Sequence, residues 1–454
     1  MKKIIVIGGG AAGAKAASKA KRLNPNNYVE MYIEDDEIAY SLCGLPYYIG
    51  GCVNDINKLR VRSAKDFLNN GIEVFFNSKL QKIFPDKKCV LIDNNHIFYD
   101  ELILALGAHV NIPKIENITA NNIFTLHKLI SGVEIRNKML NSKKALIVGG
   151  GYIAIELCEA FIKNGLEVVI IEKNEHIAND FDEDFSKLIQ EMMVSKCSSN
   201  INLILSSEVV KIKTDENNNF ISAITDKNEE IEADFCVLST GASPNIDIAK
   251  DAGITIGRTG AIQVDNRMRT NIENIFACGD CCEKYSAITK EPMYIGLGTI
   301  ANKEGRVAAI NAVGGENFET FDGILGSTIT RFFDYTISKT GMSYKKALKL
   351  KDSINIEPIF ANITKKDKAG YMPNVGDLTI KLIADKRSGE LLGAQGIGLS
   401  GNIAQRINTI TSLLKTRSSV DDLLHLDLPY APPYSSSIDP ILTAAYKLRE
   451  MMNK

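Results

Sequence analysis

Cys43 stands in the run Tyr40-Ser41-Leu42-Cys43-Gly44-Leu45-Pro46-Tyr47-Tyr48-Ile49-Gly50-Gly51, where a single thiol is followed by a short apolar segment. Gly44 leaves room for a ligand, and Pro46 suits the first turn of a helix, so the sulfur is expected at a helix N-terminus, which favours the thiolate. That end contributes only roughly 0.3–1 kcal/mol, under one pKa unit, so strong activation needs a cation or an electron-poor ring as well. A buried structural cysteine fits the same stretch equally well, and the choice between them comes from elsewhere in the chain. Cys278-x-x-Cys281, with Cys282 beside it, has the spacing of a redox or metal pair, but no second C-x-x-C accompanies it. The histidines at 96, 109, 127, 176 and 425 fall in no triad or ligand spacing, and no metal site is expected.

Two glycine-rich turns decide for the reactive thiol. The apolar strand Lys2 to Ile7 runs into Gly8-Gly9-Gly10-Ala11-Ala12-Gly13, then an alanine-rich helix to about Leu23, then a strand from Tyr28 to Ile33 ending on Glu34. This is G-x-G-x-x-G in a strand-helix-strand setting. Gly8 makes the tight turn, Gly10 lets backbone approach a pyrophosphate, Gly13 permits close helix packing, and Glu34 accepts hydrogen bonds from ribose hydroxyls. Gly8, Gly10, Ala11, Ala12, Gly13 and Glu34 are therefore the expected contacts of one dinucleotide.

The unit returns at Lys144 to Val148, Gly149-Gly150-Gly151-Tyr152-Ile153-Ala154, a helix through Phe161, and a strand from Val168 to Ile171 ending on Glu172. Ala154 replaces the third glycine, tolerable because that position concerns helix packing more than phosphate approach. Gly149, Gly151, Tyr152, Ile153 and Glu172 are the expected contacts here. Two dinucleotide sites in one chain imply electron transfer between two cofactors, and a hydride donor with a flavin is the economical pair. The carboxylate of Glu172 repels a 2′-phosphate, which predicts NADH over NADPH, with Lys173 softening the preference.

The remaining properties agree with small-molecule chemistry. A chain of 454 residues, 45% hydrophobic and 24% charged, is long enough for about three soluble domains. Its net charge of -2 provides no electrostatic footprint for nucleic acid or an anionic membrane. The N-terminal apolar run is too short for a secretory h-region, no stretch reaches membrane-span length, and nine scattered cysteines do not resemble a secreted disulfide framework. A cytoplasmic location is expected.

Between the repeats, Tyr99 to Leu106 reads as a strand closing on Gly107, and Glu116 to Asn122 as a polar connector. Beyond the second repeat come an amphipathic stretch around Phe185 to Met193 and a hairpin turning near Asp215 to Asn219. The strand Cys236 to Gly241 enters a turn at Ala242 to Asn245, and the strand from Ile275 ends in Gly279-Asp280. The fold class is α/β: two Rossmann-like domains, the second inserted in the first, with a separate C-terminal α+β domain. The expected divisions are 1–112 and 241–322 for the first dinucleotide domain, 113–240 for the second and 323–454 for the last. In the last, Leu428-Pro429-Tyr430-Ala431-Pro432-Pro433-Tyr434 must run extended and can place a tyrosine at a distance.

Together these motifs resemble the single-cysteine branch of the flavin-dependent pyridine nucleotide-disulfide oxidoreductases, and within it the coenzyme A-disulfide reductases. The matching residues are Gly8 to Gly13 with Glu34, Cys43 to Tyr47, Gly149 to Glu156, Thr240-Gly241 with Pro244-Asn245, Ala277 to Asp280, Asn302-Lys303, Phe333-Asp334 and Tyr430 to Pro433. They span the chain end to end. The resemblance implies FAD in the first site, with Gly107 and Gly241 near the cofactors and Asp280 on the flavin's ribityl side. It implies NADH, or NADPH, in the second. It further implies a homodimer formed by the C-terminal domain, with Tyr430 and Tyr371 reaching the partner subunit's active site, and Lys19, Arg22 and Asn302 contacting substrate. Two-cysteine relatives use a C-x4-C pair, whereas Tyr48 occupies the second position here, so an internal redox disulfide is not expected.

The implied activity carries electrons from NADH through FAD and Cys43 to a disulfide or persulfide such as coenzyme A disulfide, with Tyr430 as proton donor to the leaving thiolate. Alternatives are an oxidase or peroxidase cycling Cys43 through sulfenic acid, though those relatives carry histidine where Ala11 stands, and a slow redox-sensing flavoprotein. The coenzyme A-disulfide reductases usually show Ser-Phe where Ala39-Tyr40 stands, asparagine at Leu42 and lysine at Ile438. Losing two charged-group hydrogen bonds, at roughly 1.5–3 kcal/mol each, costs a hundredfold or more in affinity, which predicts low coenzyme A selectivity.

Overall fold

The computed structural model describes residues 1–197, 199–315, 318–399 and 401–453. Lys3–Ile7 is buried along almost its whole length because parallel strands cover both its edges: Ile4 lies opposite Val29 on one side and Glu101 on the other. The complete first sheet runs Ile275–Ala277, Glu101–Leu104, Lys3–Ile7, Tyr28–Tyr32, Ile72–Phe75, all parallel. One edge strand thus comes from far downstream. The chain leaves this unit, builds another, and returns to finish the first.

The second sheet repeats the pattern in the order Ile201–Leu205, Glu167–Glu172, Lys144–Val148, Phe235–Leu238, Ile123–Thr125. The crossings between units are tied by two short antiparallel strands, Ala108–Val110 and Ala242–Pro244. The expected turn at Ala242 to Asn245 is therefore a strand in its first three residues; a partner more than a hundred residues away supplies the hydrogen bonds that the local sequence does not announce. Asn245 closes the crossing by donating its side-chain amide to the Leu106 carbonyl at 2.8 Å and its backbone N–H to Gly107 at 3.1 Å.

The C-terminal unit is a five-stranded antiparallel sheet in the order Thr328–Phe332, Tyr335–Gly341, Leu391–Leu399, Asp377–Asp385, Pro358–Lys366, packed against helices Asn402–Lys415 and Pro440–Met452. It docks on the second unit through the buried Asp182, whose carboxylate accepts from the backbone of Tyr344 (3.0 Å) and Lys345 (2.9 Å), from Gln395 Nε2 (2.8 Å) and from Lys381 Nζ (3.2 Å). No helix among the described residues is long and apolar enough to cross a membrane.

Alanines and glycines set how closely the first glycine helix, Ala11–Leu23, meets the helix Gly298–Val313. Ala12, Ala16 and Ala20 are buried, and a Cβ at Gly305 would collide with the Ala12 carbonyl. Gly10 differs: a Cβ there meets nothing within 4 Å. Gly305→Ala is thus expected to lower stability by about 1–3 kcal/mol through overpacking. Gly10→Ala is expected to stay within about 0.5 kcal/mol of the parent while losing bound flavin. Urea unfolding midpoints and flavin absorbance of the purified variants check both, and equal destabilisation of the two would contradict this division of roles.

Candidate active site

Each cradle is built by a strand that ends on a glycine in the left-handed region, Gly8 at φ +108° and Gly149 at φ +103°, so that the chain turns sharply into its helix. Gly13 is required by packing, since a Cβ would strike the Gly8 carbonyl, while Gly10 and Gly151 open into free space. Neither helix has a side-chain cap or an acidic residue in its first turn. Their leading N–H groups are available for an anion. Ala11 is exposed at this end and Ala12 buried behind it; Tyr152 and the exposed Ile153 open the second helix.

The structure contains a direct test of whether a flavin fits the first cradle. Asp280 Oδ1 is buried with no hydrogen-bond partner, and a Cβ at Gly296 would come within 2.9 Å of its Oδ2. Burial raises the Asp280 carboxyl above the usual carboxylate range, with Lys284 and His127 opposing. A buried acceptor without a donor is costly, and the ribityl hydroxyls of FAD are donors of the right kind. The residues fit the group.

The two terminal carboxylates, equivalent in sequence, have different environments. Glu34 is exposed and paired with Lys79 at 3.0 Å. Glu172 is buried: its Oε2 accepts from the Gly150 N–H at 2.6 Å, and its Oε1 from the backbone and side chain of Asn174 at 2.9 and 2.5 Å. Glu172 therefore holds its own glycine loop in shape, leaving one lone pair on Oε2 for a ribose hydroxyl.

Cys43 lies in the single 3-10 turn Leu42–Gly44, ahead of the five-residue helix Leu45–Ile49 that begins with Pro46 in its first turn. Seven of the nine cysteines are buried; only Cys43 and Cys52 are exposed. Two expectations need correction here. Gly44 makes room for Leu59 rather than a ligand, because a Cβ would collide with the Leu59 side chain. The helix start also does not yield a favoured thiolate. Desolvation, then the charges of Glu156 and Asp280, raise the Cys43 thiol above its ordinary value, and a backbone N–H only partly opposes them.

Glu156, the last residue of the Gly149 to Glu156 match, has no role assigned to it from sequence. It lies one turn beyond Tyr152 on helix Tyr152–Lys163, and its Oε1 accepts from Thr330 Oγ1 at 2.9 Å. Its position four residues after Tyr152 on a glycine-motif helix was the available signal. Burial raises its carboxyl as well. Arg331 completes this side, with its guanidinium 5.2 Å from the Tyr47 ring centroid and 3.4 Å from Glu159. Tyr48 is buried with Arg136 over its ring at 4.5 Å. Tyr152 hydroxyl is held by Asp180 (3.0 Å) and Thr328 (2.6 Å).

Other expected residues lie farther out. Lys19 and Arg22 share the first glycine helix, and Arg22 lies close enough to depress the half-buried Arg62 guanidinium, after desolvation. Arg62 donates to Ser18 Oγ at 2.7 Å and packs on Phe67. Asn302 is exposed on helix Gly298–Val313 and donates to the Gly298 carbonyl. Gly107 and Gly241 flank the paired crossing strands, both with positive φ. Tyr371 and Tyr430 are 77% and 51% exposed on adjacent C-terminal loops, and among the described residues no hydrogen bond connects either to Cys43. Cys278, Cys281 and Cys282 are all buried, and no group of three or more His, Cys, Asp or Glu side chains among the described residues is arranged to hold a metal.

Two dinucleotide cradles with an accessible thiol between carboxylates from both units define a two-cofactor thiol oxidoreductase. The chain belongs to the pyridine nucleotide-disulphide oxidoreductase family, which it matches over residues 2–305, with that family's dimerisation domain over residues 327–440. It is similar to the NAD(P)H coenzyme A polysulfide/persulfide reductase of Pyrococcus horikoshii, at 32% identity over 99% of this chain and 98% of that protein. It is also similar to a protein of Methanocaldococcus jannaschii named NADH oxidase, at 30% identity over 99% of both. Among solved structures, a NAD-dependent persulfide reductase from A. fulgidus superposes with a TM-score of 0.93 at 32% identity, covering 99% of this chain and 84% of that one. The chain is thus a flavin- and NAD(P)H-dependent oxidoreductase.

Because Glu156 raises the Cys43 thiol, Glu156→Gln is expected to move the pH of half-maximal Cys43 alkylation by iodoacetamide downward, while keeping the Thr330 hydrogen bond. Mass spectrometry of the Cys43 peptide separates it from Cys52. An unchanged or higher midpoint would show that the thiol does not sense this charge.

Proposed function

We propose that this chain reduces the sulfur-sulfur bond of a disulfide or persulfide with two electrons from NADH. The observation that carries it is Cys43, an accessible thiol at the junction of both cradles. Gly8, Gly10, Ala11, Ala12, Gly13, Glu34 and Asp280 would hold FAD, and Gly149, Gly151, Tyr152, Ile153 and Glu172 would hold the nicotinamide dinucleotide. Bound FAD supplies the two-electron relay between the nicotinamide and the Cys43 sulfur. The Cys43 thiolate attacks one sulfur of the substrate, that S–S bond breaks, and the other sulfur leaves as a thiolate that takes a proton from Tyr430 of the partner subunit. A mixed disulfide remains on Cys43. Two electrons from NADH then break it, regenerating the Cys43 thiolate and releasing the second sulfur as a thiolate, or as hydrosulfide where a persulfide's outer sulfur was attacked, which takes its proton from solvent.

An anionic substrate suits the surface beside the first helix. Lys19, Arg22 and Arg62 lie on or beside this helix, and Arg62 spends its guanidinium on the neutral Ser18 Oγ, with Asp66 as its nearby opposing charge. These cations favour an anionic disulfide or persulfide, while the polar groups absent at Ala39, Leu42 and Ile438 keep the expected selectivity for coenzyme A low. The oxidase reading, favoured by the name of the Methanocaldococcus relative, ranks lower because Ala11 provides no acid-base group at the helix start.

Cys43→Ser is expected to abolish reduction of coenzyme A disulfide and persulfide while flavin stays bound and bleaches on NADH addition. Retention of most turnover would defeat the proposal. Heterodimers of Cys43→Ser and Tyr430→Phe protomers are expected to regain activity above either parent variant, because one of their two sites is unmutated when the tyrosine acts across the dimer. No recovery in verified heterodimers would place Tyr430 in its own subunit's site or outside catalysis.

A further inference from the structure

Arg406 has a side chain only 5% exposed, and its hydrogen bonds reach both tyrosine-bearing loops. Its Nε and Nη2 form a fork on Asp439, with 2.9 Å to Oδ1 and 2.8 Å to Oδ2. The same Nη2 donates to the Asp367 carbonyl at 3.1 Å and to Ser435 Oγ at 3.3 Å, and Nη1 donates to the Asn402 carbonyl at 3.0 Å. Asp367 opens the loop that carries Tyr371, and Ser435 and Asp439 close the loop that carries Tyr430. The two loops also touch each other, with the Ala369 N–H donating to Pro432 at 3.3 Å.

Tyr371, Tyr430, Tyr434 and Ile438 project outward, while Leu426 and Leu428 pack one end of the Tyr430 loop on the core. The guanidinium supplies the directed bonds that reach both loops. Asp439 is held at the same time by Ser435 Oγ at 2.8 Å and by the Ile441 N–H, which it accepts as N-cap of the helix Pro440–Met452. Asp367 is held from its other side by the Gly376 N–H and the Asn402 side chain. Each loop therefore has a rigid local frame, and Arg406 joins the frames.

We propose that Arg406 is a positioning residue for the proton-donating tyrosine: it sets where Tyr430, with Tyr371 beside it, stands in the partner subunit's site. This rests on the assignment of Tyr430 as proton donor. A planar fork bonding a carboxylate and a carbonyl together is geometry that lysine, a point charge on a flexible stem, does not reproduce.

The test is a double-mutant cycle on the intact flavin-loaded dimer, measured separately for flavin reduction by NADH and for reduction of coenzyme A disulfide. Arg406→Lys is expected to leave flavin reduction and dimer mass unchanged and to lower kcat for the disulfide about tenfold, as a displaced proton donor does. Tyr430→Phe is expected to do the same, and the pair together no worse than Tyr430→Phe alone. Asp439→Asn, which keeps shape and cap but loses charge, is the second variant, and stands in for Arg406→Lys if that protein does not fold. Additive losses, or full disulfide turnover with a defective Tyr430→Phe, would overturn the role of Arg406 and leave the tyrosine assignment intact. Full turnover in Tyr430→Phe itself would remove the assignment and this inference with it.

Discussion

The Cys43 sulfur meets desolvation first and, second, a negative field. Its two sources come from different units: Asp280 from the turn that completes the first sheet, and Glu156 from the second glycine helix. Together with desolvation they favour the neutral thiol when the sulfur has no other company. A neutral thiol is a poor nucleophile and also a poor target for oxidation. The site exists only where both units meet, so the docking of one unit on the other is part of the chemistry.

Much of this was legible in the sequence, and the illegible parts share a cause. The glycine units and their strands follow from local pattern, because turn geometry and helix starts are decided within a dozen residues. The two acids that end those units look the same in sequence and are not. Glu172 folds over its own loop through Gly150 and Asn174, while Glu34 stays in solvent with Lys79. Glu156 lies within the Gly149 to Glu156 match but carried no expected role, because its partner Thr330 and the thiol it influences lie far away along the chain. Gly44 misled for the same reason. Its missing Cβ is occupied by Leu59, a through-space neighbour that no spacing rule reveals.

The C-x-x-C at Cys278 and Cys281 shows how burial overrides a motif. Both thiols, with Cys282, are buried, and desolvation raises all three. Cys281 Sγ donates to the Cys278 carbonyl at 3.3 Å and Cys282 Sγ to Gly279 at 3.4 Å, bonds internal to the turn. Lys284 Nζ, fully buried, donates to the carbonyls of Gly279 and Cys282 at 2.5 and 2.6 Å and lies 3.6 Å from Glu304, which in turn accepts the Gly279 N–H at 2.8 Å. These thiols serve the shape of the turn that presents Asp280.

That arrangement recurs wherever a functional group must be placed. Lys284 and Glu304 brace the Asp280 turn, Asp182 receives Lys381 and Gln395 where the C-terminal unit docks, and Arg406 grips the loops of Tyr371 and Tyr430. Hydrophobic burial supplies most of the stability of such a molecule, but it has no direction and tolerates small slips of one surface over another. A buried charge does not tolerate them, because losing its partner leaves it desolvated and unpaired, at a cost of about 3–5 kcal/mol. Each buried pair therefore turns a soft positional preference into a steep one. They stand at three places that fix position: the Asp280 turn, the docking of the C-terminal unit, and the loops of Tyr371 and Tyr430.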